Sequence, residues 1–317
     1  MHIARDLTEL IGRTPALALG RLFPNTTARV YAKLEMHNPM SIKDRPVLNM
    51  IRNAMTNGLL GPETEVVEAS SGNTAIAIAA LSTILNFKVR IYMSDLCSDE
   101  RRKILCAYGA TVVITPGAEH TRGARDRAMA YCDEHPDSTL FLNQHGNPDN
   151  GRAHELTTGP EIWEQFGSDL KAVVIGLGTC GTFDGVSRYL KSKNPNIHIA
   201  AFEPASSPVY SGGAQGKHKI TGIGPGFITD NFKRSQHHMD ELLTVPDDAA
   251  WEWTRRIARV EGILTGITSG AAAWAVGQLA DRDVFRGGAA LCFFYDTGER
   301  YLSTPDLFPM DTVEYCR

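Results

Sequence analysis

The sequence predicts an α/β protein with two parallel or mixed sheets, each flanked by helices. Short β-branched runs alternate with helix-like stretches along the chain, which is typical of parallel sheets that are covered on both faces. Several predicted strands are apolar at every position rather than at alternate ones, as expected for strands buried on both sides. With 317 residues, the chain is long enough for two such sheets.

The predicted elements follow one another in a regular order. In the first half, strands are predicted over residues 64–68, 88–93, 111–114 and 139–142, and helices over 47–55, 73–85, 100–108 and 122–135. In the second half, strands are predicted over 172–175, 198–202 and 289–295, and helices over 183–192, 251–261 and 271–279. The turn-rich cluster at 147–151 lies between the halves and predicts a domain boundary there.

The composition excludes several classes of protein. The formal net charge is −4 and no lysine- or arginine-rich run occurs, so nothing indicates binding to nucleic acid or to a membrane surface. No stretch approaches the ~18 apolar residues that a membrane helix needs. The N-terminus lacks the apolar core of a signal peptide, and a cytoplasmic protein is therefore expected.

The cysteines and histidines suggest neither a disulfide framework nor a metal site. The six cysteines are Cys97, Cys106, Cys132, Cys180, Cys292 and Cys316. None forms a Cys-x-x-Cys pair, so we expect them to be reduced and mostly to fill space. The ten histidines include no pair spaced for one helix face, and no metal is expected.

A glycine-rich segment, 176–182, follows the predicted strand 172–175 and precedes a predicted helix. Successive exposed N–H groups and a helix N-terminus suit such a turn to a phosphate group. It is not a Walker loop, because no Gly-Lys-Ser/Thr follows, and no acidic residue completes a dinucleotide pattern before Glu203. From spacing alone, phosphate binding and a plain strand–helix turn both stay open.

Two further segments lie near predicted helix starts. The N–H groups and hydroxyls of the loop 70–74 suit a small anion such as a carboxylate, although Ser71 or Asn73 could simply cap the helix. Lys43 precedes a helix start that is indicated by Pro46. There the positive end of the helix dipole helps to lower the pKa of an amine, but a lone lysine could equally be a solvated surface residue.

In their order along the chain, these three segments resemble the cysteine synthase and cystathionine β-synthase family. The members of this family depend on pyridoxal 5′-phosphate (PLP) and share fold type II with the tryptophan synthase β-chain. Further matching motifs are spread over nearly the whole chain, at 11–15, 100–103, 107–110, 157–163, 219–224, 266–272 and 298–304. The resemblance implies a smaller, mobile domain over 36–145 and a larger domain formed by 11–35 together with 146–317. PLP is expected in the cleft between them.

The resemblance also implies a role for each matching residue. Lys43 is expected to hold PLP as a Schiff base and later to move the α-proton. The other residues expected to bind the cofactor are Asn73 at the ring oxygen, Gly178, Thr179, Cys180, Gly181 and Thr182 at the phosphate, and Thr268 at the pyridine nitrogen. The residues expected to bind the substrate are Ser70, Ser71, Gly72, Asn73, Thr74, Gln144, His145 and Gly222.

The implied reaction is β-replacement on an O-activated L-serine through an α-aminoacrylate intermediate. Cysteine synthesis from O-acetyl-L-serine and sulfide is the default, and a relative that uses another nucleophile or O-phosphoserine is an alternative. The neutral hydroxyl of Thr268 does not enforce a protonated pyridine, which favours elimination at Cβ over transamination. β-Elimination to pyruvate and ammonia stays open, as does a non-catalytic, PLP-binding regulatory role.

Four positions depart from the family pattern. The segment 38–43 is one residue shorter than the usual lysine motif and lacks its glycine, and Ser70 replaces a threonine. Cys180 replaces a glycine, either as a tolerated small residue or as a reactive thiol. His145 replaces an aromatic residue, either as a ring that fills the same space or as a group that hydrogen-bonds the nucleophile or leaving group.

The implied partners are small molecules, namely an amino-acid substrate and a small nucleophile. The family also implies a homodimer, with the C-terminal tail of a serine acetyltransferase as an additional partner. Neither nucleic acid nor a membrane is expected as a partner.

Overall fold

The computed structural model describes residues 3–310, which form ten strands and ten α-helices. The strands are β1 (Ala16–Ala18), β2 (Arg29–Leu34), β3 (Glu65–Ala69), β4 (Lys88–Ser94), β5 (Thr111–Thr115), β6 (Thr139–Phe141), β7 (Leu170–Gly176), β8 (His198–Pro204), β9 (Glu241–Val245) and β10 (Ala289–Phe294). The helices are α1 (Asp44–Thr56), α2 (Asn73–Leu85), α3 (Asp99–Ala107), α4 (His120–Glu134), α5 (Pro148–Leu156), α6 (Thr158–Phe166), α7 (Gly181–Lys193), α8 (Asp230–Ser235), α9 (Asp247–Glu261) and α10 (Ile267–Ala280). Cys316 lies outside the described residues.

The strands form two sheets. One has six strands in the order β1-β2-β10-β7-β8-β9, in which only β1 runs antiparallel to its neighbour. The other has four parallel strands in the order β5-β4-β3-β6. Helices pack against both sheets, and the predicted α/β class with two helix-flanked sheets is confirmed. Over residues 3–310, no helix is long and apolar enough to cross a membrane.

Most of these elements were predicted correctly from the apolar runs and helix-like stretches of the sequence. The predicted helix 73–85 is α2, and the predicted strand 198–202 lies within β8. The sequence analysis did not predict β1, β2, β9, α5, α6 or α8. In β2 the reason is Lys33, a charged residue that is fully buried and interrupts the apolar pattern on which strand prediction depends.

The turn-rich cluster at 147–151 is the beginning of a helix. The side chain of Asn147 accepts a hydrogen bond from the N–H of Asp149 over 3.0 Å, and Pro148 is the first residue of α5. Asparagine is a favoured N-cap residue and proline a favoured first residue of a helix, so the same residue types that indicate a turn here begin a helix. The domain boundaries stay a prediction.

A buried cluster of charges joins the two halves of the molecule. The guanidinium of Arg45, in α1, bonds Glu35 through Nε over 2.7 Å and Glu161 through Nη1 over 2.6 Å. Lys33 Nζ lies 2.8 Å from the same Glu161 carboxylate. Glu35 directly follows β2 and Glu161 lies in α6, whereas α1 packs on α2 and α5. The cluster therefore fixes the start of α1 relative to the six-stranded sheet.

The charges in this cluster depend on one another. Burial alone would keep Glu161 protonated, but hydrogen bonds and charge attraction from Arg45 and Lys33 outweigh it and lower the pKa of Glu161 to about 2. Removing one member of such a cluster leaves another charge buried without a partner, which typically costs about 3–5 kcal/mol.

The depressed pKa of Glu161 makes stability depend on pH. Its ionised form stabilises the fold fully above the ordinary glutamate pKa of 4.5, and this contribution is lost as the pH falls towards about 2. Glu161→Gln should therefore be less stable than the wild type near neutral pH, and the difference should shrink between about pH 5 and about pH 3. Urea unfolding at several pH values measures this difference.

The matched control for this experiment is Glu63→Gln. Glu63 pairs with Lys88, but its side chain is 90% exposed, and an exposed pair contributes at most about 1 kcal/mol. A free-energy difference for Glu161→Gln that stays constant over the acid range would contradict the cluster's assigned role.

Candidate active site

A cavity of about 360 Å³ lies between the two sheets. Loops that follow β3, β6, β7 and β10 contribute to its wall, so it lies at the carboxyl ends of parallel strands, where α/β proteins usually bind ligands. Every residue that the sequence analysis assigned to the site lines this cavity, with the exception of Gly181. Both chain neighbours of Gly181, Cys180 and Thr182, line the cavity. Further lining residues that the sequence analysis missed are Arg101, Thr121, His218, Tyr295, Asp296 and Tyr301.

Lys43 lies directly before α1 and reaches into the cavity. Within residues 3–310, no acceptor lies within hydrogen-bond distance of its Nζ atom. Burial lowers the pKa of this amine, and the nearby Cys180 and Asp296 only partly oppose the shift. An unpaired amine with a lowered pKa is suited to act as a nucleophile and as a base.

The short segment before Lys43 is closed by its own side chains. Asp44 Oδ2 accepts hydrogen bonds from the N–H groups of Met40 and Ser41, over 2.7 and 3.3 Å. Ser41 Oγ in turn accepts one from the N–H of Lys43 over 3.2 Å. These side-chain hydrogen bonds close the turn, so the glycine that is usual in this segment is not needed here.

The loop between β7 and α7 forms a cradle of backbone N–H groups. The first helical hydrogen bond of α7 runs from the N–H of Asp184 to the carbonyl of Cys180 over 2.8 Å, so the N–H groups of Gly181 and Thr182 have no acceptor within the helix. A Cβ atom at Gly178 would lie 2.7 Å from the carbonyl oxygen of Gly222, so only glycine fits there. The cradle and the helix dipole suit a phosphate group.

Side chains beneath this cradle hold it in place. His154 lies between Thr158, 2.9 Å from Nδ1, and Thr182, 3.2 Å from Nε2. Burial and the nearby positive charges of Arg45 and Lys43 lower its pKa well below the ordinary value. The neutral ring can therefore bridge the two hydroxyls, one as donor and one as acceptor. No sequence motif identified His154.

Two buried asparagines connect the cradle to the opposite side of the cavity. Asn150 Nδ2 donates to the carbonyl of Gln144 over 2.7 Å and to Thr179 Oγ1 over 3.2 Å. Asn231 Nδ2 donates to the same Gln144 carbonyl over 3.0 Å and to the carbonyl of Thr179 over 2.9 Å. A Cβ atom at Gly181 would lie 1.7 Å from Asn150 Oδ1, so this packing requires glycine at position 181.

The loop 70–74 leads into α2 and leaves its N-terminus uncapped. Gly72 is the N-cap residue, and no side chain caps it, so capping by Ser71 or Asn73 is excluded in this structure. Thr74 Oγ1 donates to Gln144 Oε1 over 2.6 Å. Asn73 and Thr74 line the cavity at this uncapped helix start, where backbone N–H groups can bind an anion such as a carboxylate.

Asn73 belongs to a polar network that the sequence analysis missed. Its Nδ2 donates to Asp296 Oδ2 over 2.7 Å, and its Oδ1 accepts a hydrogen bond from Arg300. Tyr301 donates to the same Asp296 oxygen over 2.6 Å. The amide of Asn73 is thus fixed in one orientation. The sequence feature that could have identified Asp296 as a site residue is its position directly after Tyr295, at the end of an apolar strand.

Thr268 and Gly222 close the remaining side of the cavity. Thr268 Oγ1 donates to the carbonyl of Thr221 over 2.7 Å. Gly222 has φ of +105°, and a Cβ atom there would lie 3.0 Å from Thr268 Oγ1. Thr268 thus places a neutral hydroxyl group at the cavity wall, in a position that is fixed by its hydrogen bond to Thr221.

The residues present fit PLP. An amine without a protein partner, a phosphate cradle from which a Cβ is excluded at Gly178, an oriented amide and a neutral hydroxyl surround one cavity. Its volume falls within the usual range of about 300–1,000 Å³ for small-molecule sites. Over the described range, no cluster of three or more histidine, cysteine, aspartate or glutamate side chains could hold a metal ion.

Cys180 is a buried residue of the cradle itself. It is 2% exposed, has φ of +61°, and its Sγ lies 3.2 Å from Tyr210 Oη. A left-handed backbone explains why glycine is usual at this position. Burial raises the pKa of the thiol to about 11, and this environment favours the packing interpretation over that of a reactive thiol.

The environment of Cys180 predicts slow alkylation. Iodoacetamide near neutral pH should modify the exposed Cys106 well before Cys180, because alkylation needs an accessible thiolate. Peptide mass spectrometry over a time course measures both sites in one sample. Modification of Cys180 at the same rate as Cys106, in protein that remains folded, would contradict the packing interpretation.

Comparisons with known proteins agree with this geometry. A family model described as pyridoxal-phosphate dependent enzyme matches residues 7–296. A cysteine synthase of Staphylococcus aureus (strain N315) is 43% identical over 302 residues, which cover 95% of this chain and 96% of that protein.

Two crystal structures show the same fold. A cysteine synthase from Entamoeba histolytica has a TM-score of 0.93 and 36% identity, with 99% of this chain and 93% of that chain covered. An O-ureido-L-serine synthase has a TM-score of 0.93 and 34% identity, with 99% and 98% covered. The cavity and these similarities together show that the chain belongs to the pyridoxal-phosphate-dependent enzymes, in the family of the cysteine synthases.

Proposed function

We propose that this enzyme replaces the β-substituent of an O-activated L-serine, with O-acetyl-L-serine and sulfide as default substrates. The observation that carries the proposal is the amine of Lys43, which has no acceptor among residues 3–310 and shares one cavity with a phosphate cradle and an uncapped helix start. The similarity to cysteine synthases supports the same reaction.

PLP, when bound, supplies an electron sink that stabilises negative charge at the substrate Cα. We assign its phosphate to the loop 178–182, its ring oxygen to Asn73 and its pyridine nitrogen to Thr268. The N–H groups of Gly181 and Thr182, which have no acceptor within α7, and the fixed amide of Asn73 support these assignments.

Lys43 carries out the proton transfers at Cα in this proposal. It takes the α-proton as the β-substituent leaves, and returns it once the nucleophile has added at Cβ. The lowered pKa of the amine favours the unprotonated form that removes a proton. Among the described residues, Lys43 is the sole lysine in the cavity wall.

The loop 70–74 and Gln144 bind the substrate carboxylate in this proposal. The uncapped start of α2 supports this assignment, as does the hydrogen bond that orders Thr74 against Gln144. Carboxylate binding would draw the domain 36–145 over the substrate and exclude water, which would otherwise divert the reaction towards pyruvate.

We further propose a homodimer in the cytoplasm, with a serine acetyltransferase tail as an additional partner. The five described cysteines are free, which is typical of a reducing compartment. The family expectation supports the dimer and the tail.

The holoenzyme should respond to O-acetyl-L-serine alone. The absorbance band of the bound cofactor should shift on addition of the substrate and recover when sulfide is added, with cysteine as the product by mass spectrometry. Lys43→Ala should lower the rate of cysteine formation by at least roughly 1,000-fold, because both proton transfers lose their base.

The matched control is Lys88→Ala, which removes an exposed lysine outside the cavity and should leave the rate unchanged. A wild-type enzyme that shows no spectral response to any activated serine would overturn the proposal. Pyruvate release exceeding cysteine formation at saturating sulfide would instead establish β-elimination, and an intact cofactor site without any turnover would favour the regulatory role.

A further inference from the structure

His145 has a fixed position in the cavity wall. Its carbonyl accepts a hydrogen bond from the N–H of Asn231 over 3.4 Å, and the preceding Gln144 is held by Asn150 and Asn231. The His145 ring packs edge-on against Phe227, with centroids 5.2 Å apart and an interplanar angle of 63°. Both the backbone and the ring plane are therefore set before any ligand binds.

The polar atoms of this ring have no protein partner. His145 is 9% exposed and lines the cavity, yet within residues 3–310 neither ring nitrogen has a hydrogen-bond partner. A ring that only filled space would carry the same packing without polar atoms. Neither nitrogen is among the described side-chain atoms that are fully buried without a partner, so both are accessible from the cavity and available to a ligand.

The ring is neutral in this environment. Burial, together with the positive charges of Arg125 and Lys43, lowers the pKa of His145 to about 4. Near neutral pH the imidazole therefore offers one N–H donor and one nitrogen acceptor. The nearby guanidinium of Arg125 disfavours a positively charged ligand beside the ring.

We infer that His145 is a specificity-determining residue for the incoming nucleophile, and that it selects a small nucleophile that has no positive charge and carries a hydrogen-bonding N–H or O–H group. This inference rests on the proposed β-replacement and narrows its second substrate. Bare sulfide would gain little from His145, because sulfur is a weak hydrogen-bond donor and acceptor.

The test compares nucleophiles in the wild-type holoenzyme and in His145→Phe, which keeps an aromatic ring and removes both nitrogens. The cofactor band is first shifted with O-acetyl-L-serine, and its recovery is then followed with sulfide, hydroxyurea or pyrazole. In His145→Phe, the second-order constant for hydroxyurea and pyrazole should fall at least about tenfold more than that for sulfide, as expected for one lost hydrogen bond.

Two further variants separate hydrogen bonding from packing. His145→Gln keeps a donor and an acceptor and should restore part of the preference for hydroxyurea over sulfide. His237→Phe removes an exposed histidine outside the cavity and should leave the preference unchanged.

Equal changes for all three nucleophiles in His145→Phe would overturn the inference. So would a slower first spectral change with an unaltered preference, because His145 would then act on the leaving group. A wild-type enzyme without any response to O-acetyl-L-serine would be a different failure, since it overturns the proposed function itself and the inference with it.

Discussion

The buried ion pairs of Arg45 are the constraint on which the rest of the site depends. Arg45 lies two residues after Lys43, in the first turn of α1, and is bound on one side by Glu35 and on the other by Glu161. Because both carboxylates belong to elements beside the six-stranded sheet, they fix where α1 begins relative to that sheet. A buried charge pair need not stabilise a fold, but this one positions the amine in the cavity.

Two buried asparagines help to hold the opposite wall. Asn150 and Asn231 each bond both the Gln144 carbonyl and Thr179, and so keep the residue beside the substrate loop in register with the phosphate cradle. The backbone N–H groups of the cavity wall that can bind a ligand therefore belong to segments with rigid hydrogen-bonded supports. Such supports reduce the reorganisation that binding or reaction would otherwise require.

The sequence predicted the fold class and most elements because apolar strands and helix-like stretches alternate regularly. It also identified the three segments that surround the cavity, since each combines a helix start with glycine or hydroxyl residues. It did not predict β2, where the buried Lys33 interrupts the pattern, or the role of Asp296, whose contact with Asn73 joins residues 223 positions apart. Contacts between distant segments leave no local pattern, so Asn231 and His154 were also missed.

Covalent labelling tests the central claim, that Lys43 is the residue which holds PLP. Another lysine, Lys33, is fully buried, and burial lowers the pKa of both amines. Lys33, however, is bound to the Thr14 carbonyl and Glu161, over 2.5 and 2.8 Å. Borohydride reduction of the holoenzyme, followed by peptide mass spectrometry, should find the pyridoxyl phosphate mass on Lys43, whereas a label on Lys33 or on any other lysine would contradict the account.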